Sequence, residues 1–459
     1  MDNEISENSN QLGKPPSFLK AVGPSIILLG LGLGSGELIL WPYLVSNYGL
    51  GIIWAAVVGI TFQFFINMEI ERYSLLYGES VFAGFSKLSR KLPYWFIFST
   101  FIAWMWPGII ATSAKVFATV FHIANFELVA IIFLIVIGAI LTLGPRLYKT
   151  VETFQKYLIL IGVPIIAIIT FLLAEPADFS ALARGLVGVG NGYLFLPIGI
   201  PLFTFLGAIA YSGAGGNLNL AQSSYIKEKG YGMCKGAKGI TSVLTGTANK
   251  VQVYGTAADF DSEENYSNFK KWWRLTNIEH LTVFLITGAV TILLLALLAY
   301  STTLGIAGGQ GVDFLIDEFR QISMLVAPAV GILFLILVTA MLFGTQLTVL
   351  DSTSRIISEN VVILREKFNL SKIYYFILWL QIAAGIIIFL AGYTDPISLV
   401  VTGAVLNALA MFFHIAVTYF LNKKFLPARY QMDSWRKAII LIAWLFFGAL
   451  SVMAIIRIF

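Results

Sequence analysis

Eleven apolar stretches follow one another along the 459-residue chain, over about 18–47, 50–77, 93–121, 126–145, 152–174, 193–225, 277–304, 321–350, 371–392, 396–421 and 435–458. An α-helix rises 1.5 Å per residue, so about 20 residues cross roughly 30 Å of hydrocarbon. The runs are too long for barrel strands and do not alternate. Only 12% of residues are charged, against roughly 25% in soluble domains. The expected class is therefore an all-α integral membrane protein with eleven transmembrane helices.

Lys and Arg set the orientation. They crowd the loops after spans 2 (Arg72, Lys87, Arg90, Lys91), 4 (Arg146, Lys149, Lys156), 6 (Lys227 to Arg274), 8 (Arg355 to Lys372) and 10 (Lys423 to Lys437). The opposite loops hold only Arg184 and Arg320. The positive-inside rule then puts the N-terminus in the cytoplasm and the C-terminus outside, in a plasma membrane such as the bacterial inner membrane. The net charge of +5 is thus an orientation signal and not a nucleic-acid surface. Residues 1–16 read as a disordered cytoplasmic tail, not a signal peptide. The stretch DFDSEENYSNFKKWWR, in the cytoplasmic loop at about 226–275, reads as an interfacial amphipathic helix. The lone Cys234, three histidines and the lack of any nucleotide loop or hydrolase motif exclude a disulfide framework, a His-rich metal site and an enzyme. No cofactor is expected.

Two spans carry poor helix formers at lipid depth. Span 1 contains GLGLGSGE, with glycine at 30, 32, 34 and 36 followed by Glu37, and span 6 contains YSGAGGN at 211–217. Glycine costs a helix about 1 kcal/mol relative to alanine. Broken helices persist in a membrane only where protein or a wet cavity receives the freed backbone groups. The breaks lie five spans apart, so spans 1–5 (17–174) and 6–10 (193–421) form two repeats of opposite topology, with span 11 (435–459) left over. Paired interruptions point to the binding site of a secondary transporter. The same glycines also make small-xxx-small pairs, which serve close helix packing.

On Gly23-Pro24 opening span 1, the break about ten residues later, GAIAYSGAGGNLNLAQS in span 6, the basic loop after it and the span count, the chain resembles the Nramp (natural resistance-associated macrophage protein) family. That resemblance implies a leucine-transporter-type fold with broken helices 1 and 6. It also implies transport of divalent metals with protons. The metal motifs are not kept. Where the family has Asp-Pro-Gly-Asn, this chain has Gly34-Ser35-Gly36-Glu37; where it has Met-Pro-His, this chain offers Tyr211-Ser212-Gly213 or Ala214-Gly215-Gly216. The family's acidic proton-path positions in span 3 fall on Thr112 and Lys115. Gly34-Ser35-Gly36 is similar instead to the break of amino-acid transporters, where it binds a carboxylate.

The expected substrate site is therefore Gly34, Ser35, Gly36, Tyr211, Ser212, Gly213, Ala214, Gly215, Gly216 and Asn217. Half-helix amides and hydroxyls there would cradle a small inorganic or organic anion, such as bicarbonate or an amino acid. Glu37 is read as a coupling-ion or proton group, or as a first-turn acid complementing the helix dipole. Thr345, Thr348, Asp351 and Ser352 share one face of span 8 and are read as a sodium site; the alternative for Asp351 is an ion pair with Arg355. Lys115 either snorkels outward or faces the cavity. The expected function is a secondary transporter of an anion coupled to Na⁺ or H⁺, working as a monomer in the bilayer. The alternative is a divalent metal transporter, for Mg²⁺ or Mn²⁺, with a rebuilt site.

Overall fold

The computed structural model describes residues 10–144, 147–242, 251–306 and 311–458; Arg146 and Lys250 of the basic loops, and residues 1–9 of the tail, lie outside them. Ten helical stretches among these residues are long and apolar enough to cross a membrane. The sixth expected span is divided into Leu202–Ala210 and Ala221–Lys229, neither long enough alone.

Span 1 lies at the centre. Every residue from Pro24 to Leu40 is buried, against spans 5, 6, 7 and 8. Spans 4 (Phe126–Leu143) and 5 (Leu147–Leu173) turn long apolar faces outward, with Ile132, Ile135, Ile168, Phe171 and Leu172 exposed for lipid. A helix that is apolar all round belongs inside such a bundle or against lipid.

The α-helical pattern is broken in spans 1 and 6, in different ways. Span 6 opens: residues 211–215 leave the helix, Gly215 and Gly216 take positive φ of 75° and 55°, and a short 3₁₀ turn, Gly216–Leu220, restarts the chain. Span 1 keeps winding. Between α-helices Pro24–Gly32 and Trp41–Tyr48 the stretch Leu33–Leu40 is a π-helix, closed by the Trp41 amide donating to the Gly36 carbonyl. Glycine lowers the cost of leaving α geometry, and Pro42 removes one amide from the ladder just beyond.

Three features depart from the expected layout. Span 3 is interrupted, as Leu92–Trp104 and Gly108–Val120, with Met105 to Pro107 between. Pro107 has no amide hydrogen and disfavours α geometry at Trp106. The expected amphipathic helix forms, but as Glu263–His280 it runs through a π-helical Leu281–Ile286 into Thr287–Thr303, making one continuous span 7. It also orders part of the N-terminal tail: Asn265 accepts from the Leu12 amide at 2.8 Å, Asn268 donates to the Leu12 carbonyl at 2.9 Å, and Trp272 Nε1 donates to Gly13 O at 2.8 Å. Span 8 is longer than its apolar run, Pro328–Leu364, because its C-terminal third is polar yet buried.

Candidate functional site

The glycines of span 1 are points of close approach on different faces. A Cβ at position 34 would lie 2.6 Å from Thr345 Cβ and Oγ1 on span 8. A Cβ at 36 would run into the Tyr211 carbonyl at the span 6 break. A Cβ at 32 would meet the Gly213 backbone and Glu37 Oε1, both at 3.1 Å. Residues 34 and 36 are about 200° apart around a helix, so one faces span 8 and the other span 6. Gly34 and Gly36 of the expected set therefore approach different neighbours, and the backbone between them stays wound.

Glu37 is the outlying group. Its side chain is fully buried, and neither carboxylate oxygen has a hydrogen-bond partner among the described residues. It folds back over Gly32, beside Gly213 of the span 6 break, with Gly288 of span 7 also close. Gly32 of span 1 and Gly288 of span 7 thus leave room for the carboxylate. Buried polar groups are normally paired, and an ionisable group inside a membrane is by default a functional one.

The span 6 break is held from outside. Gln63 of span 2 (Trp54–Tyr77) donates from Nε2 to the Ala210 carbonyl at 3.0 Å and accepts the Gly215 amide at Oε1, also at 3.0 Å. Trp41 Nε1 donates to Ser212 Oγ at 2.9 Å. Asn407 of span 10 (Pro396–Phe425) donates to Tyr211 Oη at 3.0 Å, and the Tyr211 ring stacks on Trp104 at 5.2 Å. Asn217 reaches across to Ser99 and Thr100 in span 3. Tyr211, Trp104, Trp106, Gln346 and Gly403 line a cavity of about 10 Å³, room for one water molecule. The indole N–H groups of Trp104 and Trp106 are buried without partners among the described residues. Trp104 and Trp106 thus flank the span 6 break, on either side of the interruption in span 3 that Trp-Pro-Gly marks.

The span 8 residues are committed elsewhere. Thr345 Oγ1 donates to the Gly30 carbonyl at 2.8 Å, and Thr348 Oγ1 donates to Gly344 O while accepting from Gln155. Asp351 accepts Arg355 Nε at 2.9 Å and the hydroxyls of Tyr225 and Tyr374 at 2.8 Å each; Ser352 bonds the same Tyr225 at 2.7 Å. The ion-pair alternative is the arrangement present. Lys115 pairs with Asp313 at 2.7 Å, both partly exposed, so it is not brought to the breaks. Among the described residues no three of His, Cys, Asp and Glu cluster as a metal site would require.

No protein-family model matches the chain, and no curated protein matches its sequence. Solved structures do match in shape. A mutant form of the Eremococcus coleocola manganese transporter superposes with a TM-score of 0.70 at 15% identity, over 98% of this chain and 90% of that one. MhsT in complex with L-phenylalanine gives 0.53 at 16%, over 95% and 98%. Mhp1, a nucleobase-cation-symport-1 family transporter in a closed conformation with bromovinylhydantoin bound, gives 0.52 at 13%, over 98% and 92%. At these identities the likeness is one of fold: the chain is built as a leucine-transporter-type bundle, two five-span repeats of opposite topology with the α-helical pattern broken in spans 1 and 6.

Proposed function

We propose that this chain is a secondary transporter of a hard divalent cation, Mg²⁺ or Mn²⁺, working by alternating access with Glu37 as the one charged ligand. The carrying observation is the buried Glu37 carboxylate, unpartnered at both oxygens among the described residues, against Gly32 of span 1 and Gly288 of span 7. An ionised carboxylate there would repel an anion. The other groups at the two breaks are hydroxyl, amide and carbonyl oxygens, the donors that Mg²⁺ and Mn²⁺ take together with retained water. The shared fold with a manganese transporter supports the same reading. The N-terminus lies in the cytoplasm, by the distribution of Lys and Arg, and the monomer is the working unit.

The test is uptake by purified protein in liposomes, with Mg²⁺ and Mn²⁺ followed by internal indicators. Bicarbonate and amino acids form parallel arms, each with and without a sodium gradient. Saturable divalent uptake is expected. Glu37→Gln should lower it by about tenfold or more, since an interaction with a charged group is worth roughly 1.5–3 kcal/mol and 1.4 kcal/mol is a decade. Uptake of bicarbonate or an amino acid with no divalent flux would reverse the conclusion. The anion reading keeps one observation of its own, the two unpartnered indole donors beside Tyr211.

A further inference from the structure

A groove runs between span 10 and span 11 (Ser434–Ile458), the helix that stands outside the two five-span repeats. Its cavity of about 320 Å³ is walled by Ile415, Tyr419 and Phe420 from span 10 and by Ile440, Leu441 and Trp444 from span 11. Phe420 and Leu441 stay 57% and 53% exposed beside it. The Trp444 ring stacks on Phe412 of span 10 at 5.1 Å, which fixes the spacing of the two helices. Both helices are long and apolar enough to cross a membrane, so the medium against this groove is acyl chain and not water.

One end of the groove is basic. Lys437 lines it, and Lys437 and Tyr419 also line a second, smaller cavity of about 40 Å³ together with Lys423, Asn422 and Gln431. This polar cavity lies where span 10 ends and span 11 begins, hence at the edge of the hydrocarbon. Two of its polar side chains are already engaged. Asn422 Nδ2 donates to the Glu69 carbonyl at 2.9 Å, and Gln431 Nε2 donates to the Leu426 carbonyl at 2.7 Å. The two ammonium groups are what remains. Neither has an ion-pair partner among the described residues; Lys423 Nζ lies 6.0 Å over the Tyr419 ring. The neighbouring arginines are committed, Arg429 to Glu263 and Arg436 to Glu69 and Asn277. Asp433 is the single acid from Asn422 to the end of the chain, against Lys423, Lys424 and Lys437 in the same stretch.

We propose that this groove binds one anionic phospholipid, with an acyl chain between spans 10 and 11 and the phosphate at Lys423 and Lys437. The carrying observation is that an apolar groove and a polar cavity share Tyr419 and Lys437, so tail and headgroup are accommodated in the order a phospholipid presents them. Basic pockets between membrane helices recognise anionic headgroups, and flexible lysine stems let the charge follow the phosphate. A zwitterionic lipid would fill the groove but bring its own cation to the lysines. A free phosphate would meet the lysines and leave the apolar groove uncovered. The bound lipid clasps span 11 to span 10. This site is independent of what the transporter carries.

The test uses the purified full chain in a neutral detergent, titrated with phosphatidylglycerol, phosphatidylcholine or glycerophosphate, with bound molecules counted by native mass spectrometry. Wild type should take up one phosphatidylglycerol with a preference of about tenfold over phosphatidylcholine, and the preference should shrink as salt is raised. The pair Lys423→Gln with Lys437→Gln should bring the two lipids to within about twofold of each other. Lys423→Arg with Lys437→Arg, which keeps both charges, should retain the preference. Ala416→Trp, which places a ring in the groove from span 10, should weaken both lipids alike. Both lysines are exposed, so the glutamine pair leaves packing intact and decides the matter even where Ala416→Trp fails to fold. Equal binding of the two lipids by wild type, or an undiminished preference in the glutamine pair, would overturn the proposal. Glycerophosphate displacing phosphatidylglycerol at equal concentration would also overturn it, in favour of a soluble anion at the lysines.

Discussion

Asp351 and Glu37 are both fully buried carboxylates on membrane helices, and their surroundings are opposite. Asp351 is saturated by one guanidinium and two phenols, whereas Glu37 has no hydrogen-bond partner among the described residues. A buried ion that has lost its partner costs several kcal/mol. Asp351→Asn should therefore lower stability by about 3 kcal/mol, seen as a lower melting temperature in detergent, and should leave any sodium titration unchanged. A sodium ligand would give the reverse pattern. The sequence showed Asp351 and Arg355 one helical turn apart, but not which of two uses the aspartate had. Tyr225 and Tyr374, which decide it, come from spans 6 and 9, and no local spacing places them.

At the scale of the helix, span 1 shows why a glycine run is ambiguous. GLGLGSG could mark an opened helix or a tightly packed one, because both need the Cβ absent. Here Gly34 serves packing against Thr345, and the break takes the form of a widened turn without a gap. Trimming the facing side chain tests the assignment. Gly34→Ala should destabilise by about 1–3 kcal/mol through overpacking. The pair Gly34→Ala with Thr345→Gly should recover most of the loss in thermal melting. No recovery would mean that the glycine matters for something other than this contact. The span 6 break was legible, since no other span combines YSGAGGN with so many glycines. The span 3 break was legible too, in Trp-Pro-Gly, but a single proline within an apolar run does not say whether a helix kinks or opens.

Across the whole molecule, three consecutive charged residues end span 6, each in an ion pair. Lys227 pairs with Glu359 at 3.6 Å, Glu228 with Arg355, and Lys229 with Glu152 at 2.6 Å, tying span 6 to spans 8 and 5. In the sequence these are ordinary loop charges that report orientation. Cys234, just beyond, is buried with its Sγ donating to the Ser74 carbonyl, and burial pushes its thiol up to about 12. Maleimide labelling at neutral pH should be slow. With so little thiolate present, its rate should climb about tenfold per pH unit from pH 7 to 9 without levelling, whereas an unfolded thiol levels near 8.5. Lys229→Ala, which cuts the link to span 5, should speed labelling at pH 7 several-fold if these pairs hold the cytoplasmic side shut. An unchanged rate would assign the closure to packing alone.

What the sequence determined by itself was set by the solvent. Hydrocarbon demands about 20 apolar residues per crossing, and charge in the loops reads out sidedness; both are properties of consecutive residues. The all-α membrane class, the two irregular spans five apart and hence the inverted repeat follow from that. The tertiary structure decided which irregular residues meet. Glu37 lies against Gly288 of span 7, and Ser25 meets Glu279 and His280, because spans 1 and 7 pack side by side. Those contacts join residues up to some 250 positions apart, and no periodicity along the chain encodes them.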